Sequence, residues 1–269
     1  MRNLRIVRVL IATLFFAASV GFLAIGLTEH PLAMAARHSQ VIPSLVSGTL
    51  GASLFWLVVT LIFGRLYCST VCPIGTLQDL ITPLRKYIPG LPQGFRYRRA
   101  SSARYHILGI YIVCLLAGLA IVPLLLEPWN LMRTICSTVR PSLIDPQWTA
   151  LGLGTLIGII GGIVSFLAVA ACAIFTGRGF CNTVCPLGTI MGLAENKSLY
   201  IIAINPDKCT SCLKCEEVCK ASCIKVSERL VDNSRCVRCF DCLAVCDDEA
   251  ITFRRGPHKP ATPLTIKQN

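Results

Sequence analysis

The sequence predicts an α-helical membrane protein: four transmembrane helices arranged as two parallel repeats, followed by a small cysteine-rich α+β domain. Three observations carry this. Of 269 residues, 54% are hydrophobic and only 15% charged, against about 25% charged in an average soluble domain, and mean hydropathy is +0.63. Four uncharged stretches, residues 9–27, 44–64, 107–126 and 150–176, are each long enough to cross about 30 Å of hydrocarbon. A thirteen-residue motif occurs twice, GRLYCSTVCPIGT at 64–76 and GRGFCNTVCPLGT at 177–189, with nine identities.

The first span follows Arg2, Arg5 and Arg8. It is long for a signal-peptide core and no A-x-A site follows, so it reads as an uncleaved helix. None of the four spans has a polar face, which argues against a soluble helical bundle. The fourth carries Gly154, Gly158 and Gly162 at GxxxG spacing, which lets helix backbones approach closely and marks it as the central packing helix. Lys and Arg number thirteen in the N-terminus, 65–105 and 177–208, against three (Arg37, Arg133, Arg140) in the other two loops. That asymmetry places both termini in the cytoplasm. It also accounts for the net charge of +12 by loops that hold orientation, so nucleic acid is not expected as a partner.

The duplication extends upstream of the repeated motif. Leu27, Glu29, Met34, Ser39 and Val41 recur 98 positions later as Leu125, Glu127, Met132, Ser137 and Val139. Each copy is therefore helix, external loop, helix, internal cysteine motif, and the copies are related by an axis along the membrane normal. The transmembrane domain is read as 1–204, a cysteine-rich domain as 205–253, and a basic disordered tail as 254–269.

After Pro206 come Cys209-x2-Cys212-x2-Cys215-x3-Cys219 and Cys236-x2-Cys239-x2-Cys242-x3-Cys246. This is the bacterial two-cluster ferredoxin spacing, in which the fourth cysteine of each run ligates the other cluster. One [4Fe–4S] cluster is assigned to Cys209, Cys212, Cys215 and Cys246, the other to Cys219, Cys236, Cys239 and Cys242. The usual proline after the fourth cysteine is replaced by Lys220 and Asp247. Cys223 either fills a small buried slot beside a cluster or substitutes for Cys219 as a ligand.

In the repeated motif, Cys72 and Cys185 each precede a proline. Proline suits the first helical position, so both cysteines are read as N-caps, where the helix terminus lowers a thiol pKa. Cys68, Cys72, Cys181 and Cys185 meeting across the repeat axis form a shared redox or metal site. That site would hold a third iron–sulfur cluster or Cu(I). Alternatively each pair cycles as dithiol and disulfide, or the cysteines are apolar filler.

Together, the four spans, the paired C-x3-C-P motifs and the eight-cysteine domain resemble the NapH/MauN-type membrane iron–sulfur family. That family is related to the membrane parts of the nitrous-oxide accessory protein NosR and the copper-handling protein CcoG. The resemblance covers roughly residues 5–253. It implies a bacterial-type inner-membrane protein, multi-pass with the ferredoxin domain cytoplasmic. Such a protein would move electrons between the quinone pool and a ferredoxin-like, cytochrome or other redox subunit. The alternative it implies is an assembly factor that reduces copper for a metalloenzyme.

Glu29 and Glu127, at the outer ends of the spans, are the quinone candidates, since quinol oxidation needs a proton acceptor; His30 and His38 rank below them. Cys114 and Cys172 read as small buried hydrophobes. Cys136 is expected outside. The absence of C-x-x-C-H gives no indication of c-type haem.

Overall fold

The computed structural model describes residues 2–25, 30–46, 48, 50–119, 126–144 and 153–256. The chain is mostly helical. In order come α1 (Arg2–Ile25), α2 (Pro31–His38), α3 (Val41–Val46), α4 (Leu50–Phe63), α5 (Tyr67–Thr70), α6 (Pro73–Ile81), α7 (Ala103–Leu116), α8 (Pro128–Ile144), α9 (Leu153–Thr176) and α10 (Pro186–Glu195). Two helical stretches, Asn3–Ile25 and Gly158–Thr176, are long and apolar enough to cross a membrane, while Leu50–Phe63 and Ala103–Leu116 are shorter apolar helices. Two glycines explain the shortening. Gly48 (φ +75°) and Gly118 (φ +71°) adopt the left-handed conformation, which carries no steric penalty in glycine alone. The first lies just before α4 and the second just after α7. The third span predicted from sequence runs on into residues 120–125, outside the described residues.

Large apolar side chains on these helices face outward, among them Leu10, Leu14, Leu54, Phe55, Val113, Leu116, Ile160 and Leu167. A soluble bundle would bury such a surface, so this is a membrane protein.

The stretches expected as external loops are helical and fold back. Gln40, just before α3, donates to the Val71 carbonyl at 3.3 Å and accepts from the Tyr67 hydroxyl at 2.5 Å. The Trp56 indole donates to Ser39 O at 2.9 Å. Helix α8 lies against α9 at Gly162, where a Cβ would collide with the Thr134 carbonyl and the Thr138 side chain. Gly158 has open space beside it, so only part of the glycine stripe serves packing. Cys136 is buried with Leu23, Val41, Trp129 and Met132 in the same apolar core as the four motif cysteines.

The C-terminal domain is a pair of two-stranded antiparallel sheets with two short helices, α11 (Lys214–Glu217) and α12 (Asp241–Val245). Strand β1 (Tyr200–Ile204) pairs with β4 (Ile251–Arg255) in the register Ile202↔Phe253, and β2 (Ile224–Lys225) pairs with β3 (Leu230–Val231). The domain is strapped to the helical body. Phe95 N donates to Glu217 O at 2.8 Å, Arg98 N to Ser222 O at 3.1 Å, and Leu199 N to Leu61 O at 2.9 Å. Of the tail read as 254–269, Arg254 and Arg255 are instead the last residues of β4, paired with Ile201 and Tyr200, and 257–269 lie outside the described residues.

Candidate functional site

Cys72 and Cys185 are the N-caps of α6 and α10, with Pro73 and Pro186 at the first helical position. In each motif the glycine after the proline is pressed against the first cysteine. A Cβ at Gly75 would strike the Cys68 carbonyl, and one at Gly188 the Cys181 carbonyl. The motif therefore turns sharply enough to bring both of its cysteines to one side. Cys68, Cys72, Cys181 and Cys185 are all buried in one core beside Tyr67, Ile74, Phe180 and Leu187.

The two copies exchange arginines. Arg65 of the first motif donates to Glu195 Oε2 (2.9 Å), Gly188 O (2.9 Å) and Asn182 Oδ1 (2.7 Å) of the second. Arg178 of the second donates to Cys68 O (2.7 Å) and to both oxygens of Asp79 (3.1 and 2.7 Å) in the first. Gln78 Nε2 lies 3.3 Å from Cys181 Sγ, and Gly188 N is 3.4 Å from Cys185 Sγ.

The helix N-termini do not lower these thiols as the sequence reading expected. Burial pushes the Cys68 thiol up to about 12, against Arg65 and Arg178. Burial and the neighbouring Cys181 raise Cys72 and Cys185 well above the ordinary thiol range, outweighing the backbone N–H groups that face them. Desolvation outweighs the partial charge of one helix end.

In the C-terminal domain, Cys209, Cys212, Cys215 and Cys246 line one cavity. Cys219, Cys236, Cys239 and Cys242 line another, together with Cys223. The two C-x2-C-x2-C loops share an unusual backbone. Ser211 and Leu213 in one, and Arg238 and Phe240 in the other, have φ between 53° and 63°. Left-handed residues alternating along a loop turn successive N–H groups inward, making an anion-binding nest of the kind found at iron–sulfur sites. A [4Fe–4S] cluster with four thiolates is an anion, so thiols, nest and cavity fit it. When bound, such a cluster supplies one-electron redox chemistry. Among the described residues no three His, Cys, Asp or Glu side chains close to single-ion distance; in this domain the cysteines surround a space instead.

Cys223 Sγ is 3.5 Å from Cys219 Sγ. Its hydrogen bonds hold Cys219 below the ordinary thiol range and bring Cys236 down to about 6. The Cys223 side chain is thus within reach of two of the assigned sulfurs, with one S–H to donate to either, a role the sequence reading did not consider.

Between the two cysteine regions lies a buried layer of ion pairs that sequence reasoning missed. Asp79 on α6 receives Arg178, Arg8 and Lys220, the last at 3.3 Å. Lys220 also reaches Asp241 at 3.0 Å, and its carbonyl accepts from Arg178 N at 2.8 Å. Glu195 on α10 joins Arg65 (2.9 Å) to Arg238 (3.0 Å), the three side chains being 0–1% exposed. Lys220 and Arg238 belong to the cysteine-rich domain, so these clusters dock it on the C-x3-C-P core. A signal was present: Asp79 and Glu195 are isolated acids on otherwise apolar helices.

Glu127 is buried and caps α8, accepting from Trp129 N (3.0 Å) and Asn130 N (2.6 Å). Burial raises its carboxyl against these bonds and Arg37. His30 Nδ1 accepts from Leu32 N at 3.3 Å and the ring stacks on Phe22, so it caps α2. His38 is the last residue of α2. Glu29 lies outside the described residues.

A protein family described as a 4Fe-4S binding domain matches residues 47–92 and 159–199, the two stretches that hold the C-x3-C-P motifs. The ferredoxin-type protein NapH of Escherichia coli is 25% identical over 246 residues, 88% of this chain and 78% of its own. The putative electron transport protein YccM of the same organism is 28% identical over 227 residues, 82% of this chain and 59% of its own. The methylamine utilization ferredoxin-type protein MauN of Methylorubrum extorquens is 25% identical over 205 residues, 76% of this chain and 64% of its own. No solved structure matches. With these relatives, two matched 4Fe-4S segments and an eight-cysteine domain docked beside them, the chain is similar to the NapH/MauN-type iron–sulfur proteins along most of its length.

Proposed function

We propose that this protein is a membrane-bound electron-transfer subunit that links the quinone pool to a redox partner through [4Fe–4S] clusters. In this reading the chain crosses the bacterial inner membrane four times, with both termini and the ferredoxin domain in the cytoplasm. Cys209, Cys212, Cys215 and Cys246 hold one cluster and Cys219, Cys236, Cys239 and Cys242 the other. Cys68, Cys72, Cys181 and Cys185 share a third site. The observation that carries the reading is the docking of the eight-cysteine domain directly on the C-x3-C-P core through Lys220, Asp79 and Arg178. Electron transfer needs centres held close together, and a buried ionic dock supplies a fixed arrangement where a flexible tether would not.

The test is Cys72→Ser and Cys185→Ser, made singly and together in the anaerobically purified full chain, with iron and copper counted. A shared iron site requires each single variant to lose the same iron as the double. Copper in place of the third iron component would favour a copper-reducing assembly factor. Losses that simply add, from a wild type with about eight irons, would overturn the shared site. Failure of a quinol to reduce the iron–sulfur protein with its native redox partner present would overturn the quinone link.

A further inference from the structure

At the end of α1 remote from the ferredoxin domain lies a cavity of about 200 Å³ between α1, α2, α3 and the start of α8. Its lining includes Ser19, Phe22, Arg37, Glu127, Trp129 and Arg133. The deep end is formed by buried groups. Ser19 is 0% and Glu127 4% exposed, while Arg37 and Arg133 stand at the exposed rim. Ser19 Oγ is buried and makes no hydrogen bond. A buried hydroxyl without a partner costs free energy that a ligand acceptor would recover.

The chemistry of the lining narrows the ligand. Phe22 and Trp129 offer two aromatic surfaces to a flat ring. Ser19 and the arginines are donors suited to carbonyl oxygens, while Glu127 has lone pairs beyond the two N–H groups it caps, able to accept from a hydroxyl. The volume is below the roughly 300–1,000 Å³ of pockets that enclose whole drug-sized ligands, so it suits a single-ring headgroup whose tail remains outside. Leu23 and Trp129 line both this cavity and the core that contains the four motif cysteines. The exposed Leu32 and Met34 on α2 offer apolar surface to a lipid tail nearby.

We infer that this cavity is the headgroup site for a quinone, with Ser19 at its base, Glu127 on its wall and Arg37 and Arg133 at its mouth. The inference rests on the proposed exchange of electrons with the quinone pool, and it adds a location and a set of contacts. It concerns binding: in the quinone the ring carbonyls accept from Ser19 and the rim guanidiniums, and in the quinol a ring hydroxyl donates to Glu127.

The experiment uses the full chain in lipid nanodiscs, titrated with decylubiquinone and with a short-chain menaquinone, read by quenching of tryptophan fluorescence and by equilibrium dialysis. Ser19→Ala is expected to weaken binding of the preferred quinone about tenfold, the worth of one lost hydrogen bond. Ser19→Leu, which fills the base, is expected to abolish binding with iron content unchanged. Arg37→Gln, at the exposed rim, is expected to weaken binding severalfold and serves if the Ser19 variants do not assemble. Trp129→Phe should remove most of the quenching while dialysis still shows binding. Wild-type affinity retained in Ser19→Leu or, should that variant not assemble, in Arg37→Gln would overturn this location and leave the quinone link standing. Absence of binding to the wild type would overturn both.

Discussion

Replacing Asp79 by Asn tests whether the ferredoxin domain is held by charge. The carboxylate receives two bonds from Arg178, at 3.1 and 2.7 Å, a contact from Arg8, and Lys220 at 3.3 Å. Burial draws this carboxyl up, but Arg178, Lys220 and Arg8 outweigh it and hold it well below the usual carboxylate range. Asp79→Asn keeps the shape and removes the charge. Breaking one side of a buried pair costs about 3–5 kcal/mol. Lys220 retains Asp241 at 3.0 Å, so the lower end, about 3 kcal/mol, is the figure to expect. Undocking admits water to Arg178, so the loss falls on the docked state. At about 1.4 kcal/mol per decade, the open population rises roughly 100-fold. The segment around Phe95–Arg98 is hydrogen-bonded to the ferredoxin domain and contains Arg96, Arg98 and Arg99. Tryptic cleavage there, slow relative to reclosing, reports the open population and should accelerate by the same factor. Asp247→Asn removes an exposed pair with Lys214 worth about 0–1 kcal/mol and should change nothing. The folded carboxyl titrates below its unfolded value, so its contribution is present above about pH 4 and lost only at lower pH. From about pH 5 to 9 it adds no slope. Cleavage of Asp79→Asn within threefold of wild type would refute an ionic dock.

Glu195→Gln addresses the second ion cluster: burial raises this carboxyl to about 7 against Arg238 and Arg65. Its folded pKa lies above the unfolded value of 4.5, so its contribution is full below that value and is lost as pH rises through about 7. Thermal unfolding of wild type should therefore weaken between about pH 5.5 and 8 by more than that of the variant, and equal slopes would count against the shift. Gly188→Ala puts a Cβ onto the Cys181 carbonyl and should cost about 1–3 kcal/mol by overpacking. If the C-x3-C-P cysteines hold metal as proposed, the variant should lower metal retention there, and an unaltered metal content would show that the turn tolerates the methyl. Cys223→Ala should keep about eight ferredoxin irons and move one midpoint potential to more negative values, because the S–H donor beside the cluster sulfurs is removed. Loss of about four irons would make Cys223 a ligand.

The elements legible in the sequence are those set by short spacing. Proline after cysteine marked the starts of α6 and α10, and the spacing of the eight cysteines grouped them as the two cavities do. The segments 31–46 and 128–144 misled because their polar content resembles loop content. Their burial comes from distant partners, such as Tyr67 for Gln40 and α9 for α8. Apolar runs count residues but do not show where glycine breaks them, as at Gly48. The ionic dock was half legible: Asp79 stands out as an acid on an apolar helix, but Lys220 is 141 positions away, and one charge does not announce its counterpart.

The duplication and the single ferredoxin domain pose a conflict that the residues resolve. Two equivalent motifs would present two equivalent docking points, yet one domain follows them. At the offset of 113 that relates the motifs, the counterpart of Asp79 is Gly192, and that of Glu195 is Thr82. Asp79 takes Lys220, while at Gly192 a Cβ would press on the Ser234 carbonyl at 2.9 Å. The ferredoxin domain thus lies across both copies, with a charge contact on one and a close backbone contact on the other. The arginines, by contrast, keep the symmetry: Arg65 and Arg178 are equivalent, each crosses to the other copy, and each finds the single carboxylate that its partner helix carries. What the repeat preserves is the geometry around the four cysteines. At Asp79 and Gly192 it diverges, and there the two copies meet the added domain differently. An asymmetric partner seated on a near-symmetric core needs unlike contacts on its two halves, and Asp79 against Gly192 supplies them.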